Sequence, residues 1–152
     1  MRPLFQKMIL FSGLILFTAG GSAFAQKKEK KEKPLDNKVF TISLQEEKTA
    51  KPAKPIADEL SFRGDKIKSK AMDEKWKFKS GTFKAVADST NPEEPVITFD
   101  AEMPGDTKDD KMIWKGTVTG EAGEDIEGTV TWMKRDKVKK EFSFSGSLRK
   151  KK

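Results

Sequence analysis

The amino-acid sequence predicts an all-β protein: about eight antiparallel strands in a meander that forms a small barrel, with a strongly coiled β-sandwich as the alternative. Three observations carry this. Apolar residues recur with period two through most of residues 38–149, the signature of half-buried strands. Clusters of Gly, Pro, Asn and Asp punctuate these runs, as hairpins require. Beyond residue 38 no convincing helical stripe is found, although residues 71–76 have room for one turn.

The chain opens differently. Arg2 and Lys7 precede a nearly unbroken apolar run over residues 8–17 (MILFSGLILF), which is too short to span a bilayer. Small residues follow, ending in Ala23-Phe24-Ala25, so residues 1–25 are expected to be a signal peptide cut between Ala25 and Gln26. The sequence has no Cys. A lipoprotein anchor and disulfides are therefore both excluded, and a periplasmic or secreted domain must stand on its core. Residues 26–37 (QKKEKKEKPLDN) are dense in charge and nearly devoid of apolar side chains, which predicts a disordered linker. A single barrel domain over 38–149 and a basic tail over 150–152 complete the expected organisation.

Within the domain the elements read in order. Phe40, Ile42 and Leu44 alternate with polar residues; Leu60 and Phe62 flank Ser61; Trp76 and Phe78 flank Lys77. Phe83, Ala85 and Ala87 share one parity, as do Ile97, Phe99 and Ala101. Turn signals separate them at Arg63-Gly64-Asp65, Ser80-Gly81, Asn91-Pro92 and Pro104-Gly105. Arg63-Gly64-Asp65 also spells an adhesion tripeptide, but a glycine turn between strands is sufficient reason for it.

The last third has the sharpest pattern. Met112, Trp114, Gly116 and Val118, then Ile126, Gly128, Val130 and Trp132, then Phe142, Phe144, Gly146 and Leu148 all occupy even positions, with mainly Lys, Thr, Ser and Glu between them. A reversal about Ala122 sets Gly116 opposite Gly128, and one about Lys137 sets Gly128 opposite Gly146. Gly116, Gly128 and Gly146 would then form a row across three strands. Mid-strand glycine weakens a strand unless the missing side chain is used, so the row predicts strong curvature with large rings packed over it. Trp114, Trp132, Phe142 and Phe144 are the candidate rings.

The repeats Trp114-Lys-Gly116-Thr-Val118, Ile126-Glu-Gly128-Thr-Val130-Thr-Trp132 and Phe144-Ser-Gly146-Ser-Leu148 resemble the strands of small lipocalin-like, or calycin-type, barrels of exported bacterial proteins. The resemblance implies a closed meander and an interior open to a small apolar ligand. The Gly-x-Trp that lipocalins carry near their first strand is lacking in residues 38–44 (KVFTISL). An outer-membrane barrel also alternates, but its aromatic girdles are rich in Tyr, of which this chain has none.

Charge and chemistry narrow the function. The net charge is +7, yet residues 39–148 hold 19 Lys and Arg against 21 Asp and Glu. The basicity sits at the two ends, and a nucleic-acid partner is not expected. With no His and no Cys, His-based nucleophile systems and the usual zinc sets are absent, and no cofactor, metal or enzymatic activity is expected. The acidic residues Asp106, Asp109 and Asp110 lack calcium-loop spacing and are opposed by Lys108 and Lys111, so they read as a solvated turn. Asp58, Glu59, Glu124, Asp125 and Glu127 read as residues bordering turns. Two functions remain for a monomeric domain. One is a barrel whose interior, lined by Trp76, Phe78, Trp114, Trp132, Phe142 and Phe144, takes a small apolar ligand. The other is a packed barrel whose surface or basic tails meet another envelope component.

Overall fold

The computed structural model describes residues 33–88, 90–91 and 93–150. The expected signal peptide, the Ala25/Gln26 junction, the start of the linker and the last two lysines lie outside the described residues. Among the described residues eight strands form: β1 (Val39–Glu46), β2 (Ile56–Arg63), β3 (Lys66–Ser69), β4 (Gly81–Asp88), β5 (Val96–Pro104), β6 (Asp110–Thr119), β7 (Asp125–Lys134) and β8 (Lys137–Leu148). A short helix, α1 (Lys70–Trp76), lies between β3 and β4. Each strand pairs antiparallel with the next, and β8 returns to β1 from Phe40–Leu148 through Glu46–Phe142. The sheet therefore closes into an eight-stranded barrel, consistent with a lipocalin-like fold, and the sandwich alternative is set aside.

The alternation explains the closure. Phe40, Ile42 and Leu44 of β1 point inward, as do Met112, Trp114 and Val118 of β6 and Ile126, Val130 and Trp132 of β7, all buried. Their neighbours Thr41, Ser43, Lys115 and Glu127 are exposed. Among the described strands closure leaves no free edge.

Four expectations need correction. Trp76 and Phe78 do not flank Lys77 in a strand. Trp76 ends α1, and Lys77, at φ 61°, is the left-handed residue that stops the helix, its N–H donating to Asp73 O. The strand that makes up the count is β3, too short and too polar (KIKS) for its alternation to show in the sequence. The stretch expected to be a linker also contributes to the core. Leu35 is fully buried, held by a turn in which Lys38 N donates to Leu35 O and Asp36 accepts from the Gly64 N–H at 2.6 Å.

The third correction is one of register. Gly116 does face Gly128, with Val118 opposite Ile126 and Trp114 opposite Val130. The β7–β8 reversal, however, occurs at Arg135-Asp136, both at positive φ, and a bulge shifts the pairing after Trp132. Gly128 therefore faces Phe144, while Gly146 faces Ile126 and Ile42. Two residues suffice for a hairpin of this hand, and the bulge places the Lys139 ammonium 4.0 Å from the Trp132 ring centroid.

The fourth concerns Asp58, which lies within β2 rather than at a turn and is 6% exposed. Its carboxylate accepts from the N–H groups of Ala71 and Glu59, both at 2.7 Å, and from the Ser69 hydroxyl. Ser69 in turn caps α1 by accepting from Met72 N at 3.2 Å. The helix thus starts where a buried strand carboxylate meets its free N–H groups. Burial pushes Asp58 above its ordinary 3.8, against hydrogen bonds from Ala71, Ser69, Glu59 and Lys70 that pull it down.

Asp58→Ala should cost about 2–3 kcal/mol in denaturant unfolding, because the Ala71 and Glu59 N–H groups are left without an acceptor; Asp58→Asn, which keeps one oxygen, should cost less than half as much. Because the folded value is raised, the contribution of this group is full below the ordinary value and is lost as pH rises through the folded one; a carbon-detected titration of Asp58 should give a midpoint above 3.8. Gly128→Ala would set a Cβ 2.1 Å from Lys115 O, whereas a Cβ on Gly64, in a turn at φ 62°, meets nothing within 4 Å. Thermal unfolding should show Gly128→Ala as the far costlier change, with Gly64→Ala losing only about 1 kcal/mol of backbone strain.

Candidate functional site

Every aromatic residue expected to line a ligand site lies in or against the core, and these rings are engaged with one another. Trp114 packs on Phe144 at 5.3 Å between centroids, Phe78 on Trp132 at 5.2 Å, and Trp76 on Trp132 at 5.5 Å and on Phe142 at 5.9 Å. A second group, absent from the expected site, fills the other half of the barrel: Phe62 touches Phe40, Phe83 and Phe99, and Phe99 reaches Phe144 at 6.4 Å. An eight-stranded barrel is just wide enough for its side chains to fill it. These rings do so. The Trp132 indole N–H donates to Asp110 at 3.1 Å, while that of Trp114, fully buried, has no acceptor among the described residues.

The glycines explain how such bulk fits. Across adjacent strands run Phe99, Gly116, Gly128 and Phe144 in one transverse row. The Phe99 ring lies 2.7 Å from where a Gly116 Cβ would stand, and the Phe144 ring 2.9 Å from that of Gly128. The rings occupy the volume the glycines vacate, and this draws the wall inward.

Seen from outside, the same drawn-in wall is a groove of about 780 Å³. Its floor is the backbone of Phe99, Gly116, Gly128 and Phe144, and its sides are the outward residues that flank them. Two cross-strand rows result. One runs Gln45, Ser143, Thr129, Lys115, Asp100; the other runs Ser43, Ser145, Glu127, Thr117, Thr98. Among the described residues the groove side chains that donate hydrogen bonds are Gln45, to Ala53 O at 2.9 Å, Ser143, to Glu47 at 2.6 Å, and Thr98, to Val86 O at 3.4 Å. The hydroxyls of Ser43, Thr117, Thr129 and Ser145 remain available, and no ion pair ties Lys115 to Asp100 across the strands. Such a surface offers hydroxyl donors and acceptors in two parallel rows. The sequence carried this site in the polar positions between its apolar ones, which read only as a wetted face.

The acidic turn is spent locally. Asp110 accepts from Thr107 at 2.8 Å and from Trp132, which hold its carboxyl below the usual range, and Asp109 pairs with Arg135. Among the described residues no group of three or more metal-ligating carboxylates converges.

Fold and site define a closed antiparallel β-barrel with a packed interior and a hydroxyl-lined outer groove. Comparison with known protein families and with curated proteins finds no match. Because Phe144 fills the barrel beside Trp114, Phe144→Ala should open a cavity and cost about 3–5 kcal/mol. The variant should also gain binding of benzene, read by heteronuclear NMR, which the parent protein lacks.

Proposed function

We propose that the protein is an exported, non-enzymatic barrel that acts as an interaction protein of the bacterial envelope, with the outer groove as its binding surface. The observation that carries this reading is the division of labour across one wall: rings pack the inner side, and unspent hydroxyls line a groove of about 780 Å³ on the outer side. Polar outward positions along β1, β6, β7 and β8 also favour water over lipid as the medium around the barrel. The partner would present donors and acceptors in a chain long enough to cross several strands, which lie about 4.8 Å apart.

The interior site for a small apolar ligand has less support, since Trp114, Phe142 and Phe144 spend their surface on the protein itself. Isotope-labelled protein titrated with fractions of the cell envelope separates the two. Backbone shifts should cluster at Ser43, Thr117, Thr129 and Ser145, and Thr129→Trp, which fills the groove, should abolish them while leaving the fold intact. Shifts centred on the Trp114 indole, undiminished in Thr129→Trp, would transfer the function to the interior.

A further inference from the structure

Three segments far apart in sequence meet at one end of the barrel. β1 begins beside the end of β8, so Arg149 N donates to Val39 O at 2.8 Å. β2 ends at the same place, where Phe62 N donates to Lys38 O at 2.9 Å and Asp36 receives the Gly64 N–H. Two clefts adjoin there, sharing Asn37 and Val39. One, of about 310 Å³, carries Lys38, Arg149 and Lys150; the other, of about 390 Å³, carries Arg63, Lys66 and Lys68. Among the described residues no carboxylate lines either cleft.

Neighbouring acids offset part of this charge. Glu59 pairs with Arg149 at 2.8 Å and Asp73 with Lys68 at 3.4 Å, Lys38 donates to Ala122 O, and Asp65 is exposed on the adjoining turn. Arg63, Lys66 and Lys150 are exposed and have no side-chain hydrogen bond or ion pair among the described residues. The acidic loops that carry Glu93 and Glu94, and Glu121 and Glu124, lie at this end too; the second adjoins the smaller cleft, where Leu148 N donates to Glu124 O at 2.7 Å and Lys38 reaches Ala122 O, so the cations without a partner are those on the far side of the clefts, Arg63 and Lys66, and the terminal Lys150. Fold-level neutrality thus conceals a cationic sector.

We propose that this sector docks the barrel, end on, to an anionic, phosphate-bearing membrane surface. The cations are spread over two shallow clefts rather than converging on a point, which suits a plane of headgroups and not one compact anion. Half-buried Val39 and Leu148 lie on the cleft walls, where Lys and Arg stems can rest while their heads reach outward. An exposed Lys or Arg near such a surface contributes roughly fivefold in affinity. The groove sits on the side wall at mid-strand, so end-on docking leaves it open; the two proposals stand or fall separately.

Cosedimentation of the protein as cells export it tests the idea. Vesicles of phosphatidylcholine with about one third phosphatidylglycerol should bind it, phosphatidylcholine alone should not, and about 0.5 M NaCl should release it, because the Debye length is then only a few Å. The triple change Arg63→Gln, Lys66→Gln and Lys150→Gln should weaken binding at least roughly tenfold. Lys108→Gln, Lys134→Gln and Lys137→Gln together, at the other end and equal in charge, should leave it within about twofold. Equal losses in the two triples would overturn the proposal in favour of diffuse net charge. Release by inorganic phosphate beyond that of NaCl at matched ionic strength would overturn it in favour of a compact phosphate site. Should the first triple unfold by circular dichroism, Arg63→Gln and Lys66→Gln singly should each lose roughly threefold or more, and unchanged binding in both would sink the idea.

Discussion

The structure depends on one transverse row: Phe99, Gly116, Gly128, Phe144. A barrel of eight strands has little interior to spare, and this chain puts six phenylalanines and two tryptophans among its buried core residues. Such bulk closes only if the wall gives way somewhere. It gives way at two opposed glycines, whose absent side chains become the seats of the flanking rings. Packing inside and concavity outside are therefore one event, read from two sides of the same backbone.

The ends of the barrel are closed by the same economy. At one end Leu35 enters the core from a segment otherwise composed of charges; at the other, α1 brings in Met72, followed by Phe78. Neither plug is held by apolar contact alone. Asp36 ties the first to the β2–β3 turn, and Asp58 ties the second to β2. Each tie is a carboxylate receiving backbone N–H groups that a turn or a helix start would otherwise leave unpaired. Both carboxylates are therefore parts of the fold.

How much of this was legible in the sequence follows from what sets each feature. The long strands were, because Phe40 to Leu44 and Met112 to Leu148 alternate over enough residues for the period to show. The opposition of Gly116 and Gly128 was too, since a single tight turn lies between them. The opposition of Gly128 and Gly146 was not, because a bulge beyond Trp132 moves the register, and nothing local announces it. Leu35 was hidden by its neighbours: one apolar residue amid lysines reads as linker until a barrel end needs a plug. Trp76 and Phe78 straddle Lys77 as strand residues would, yet Ser69 and Asp58 start a helix that the two-residue period cannot report. The groove was present in the polar positions between the apolar ones but invisible, since alternation shows that a face is wet and never that it is concave.

A domain with no Cys, delivered outside the cytoplasm as expected here, has only its core to resist unfolding. A hollow barrel would give up much of that core to its ligand. Here the rings of Phe99, Trp114 and Phe144 pack against one another inside, and the glycines beneath them shape a surface on which the proposed recognition would require no buried volume. Stability and binding therefore do not compete for the same space, as they must in a barrel that carries its ligand inside. The coupling has a cost of another kind: any side chain that relieves the glycine seats flattens the groove, so the outer site can vary freely in its Ser, Thr and charged side chains but not in the backbone beneath them.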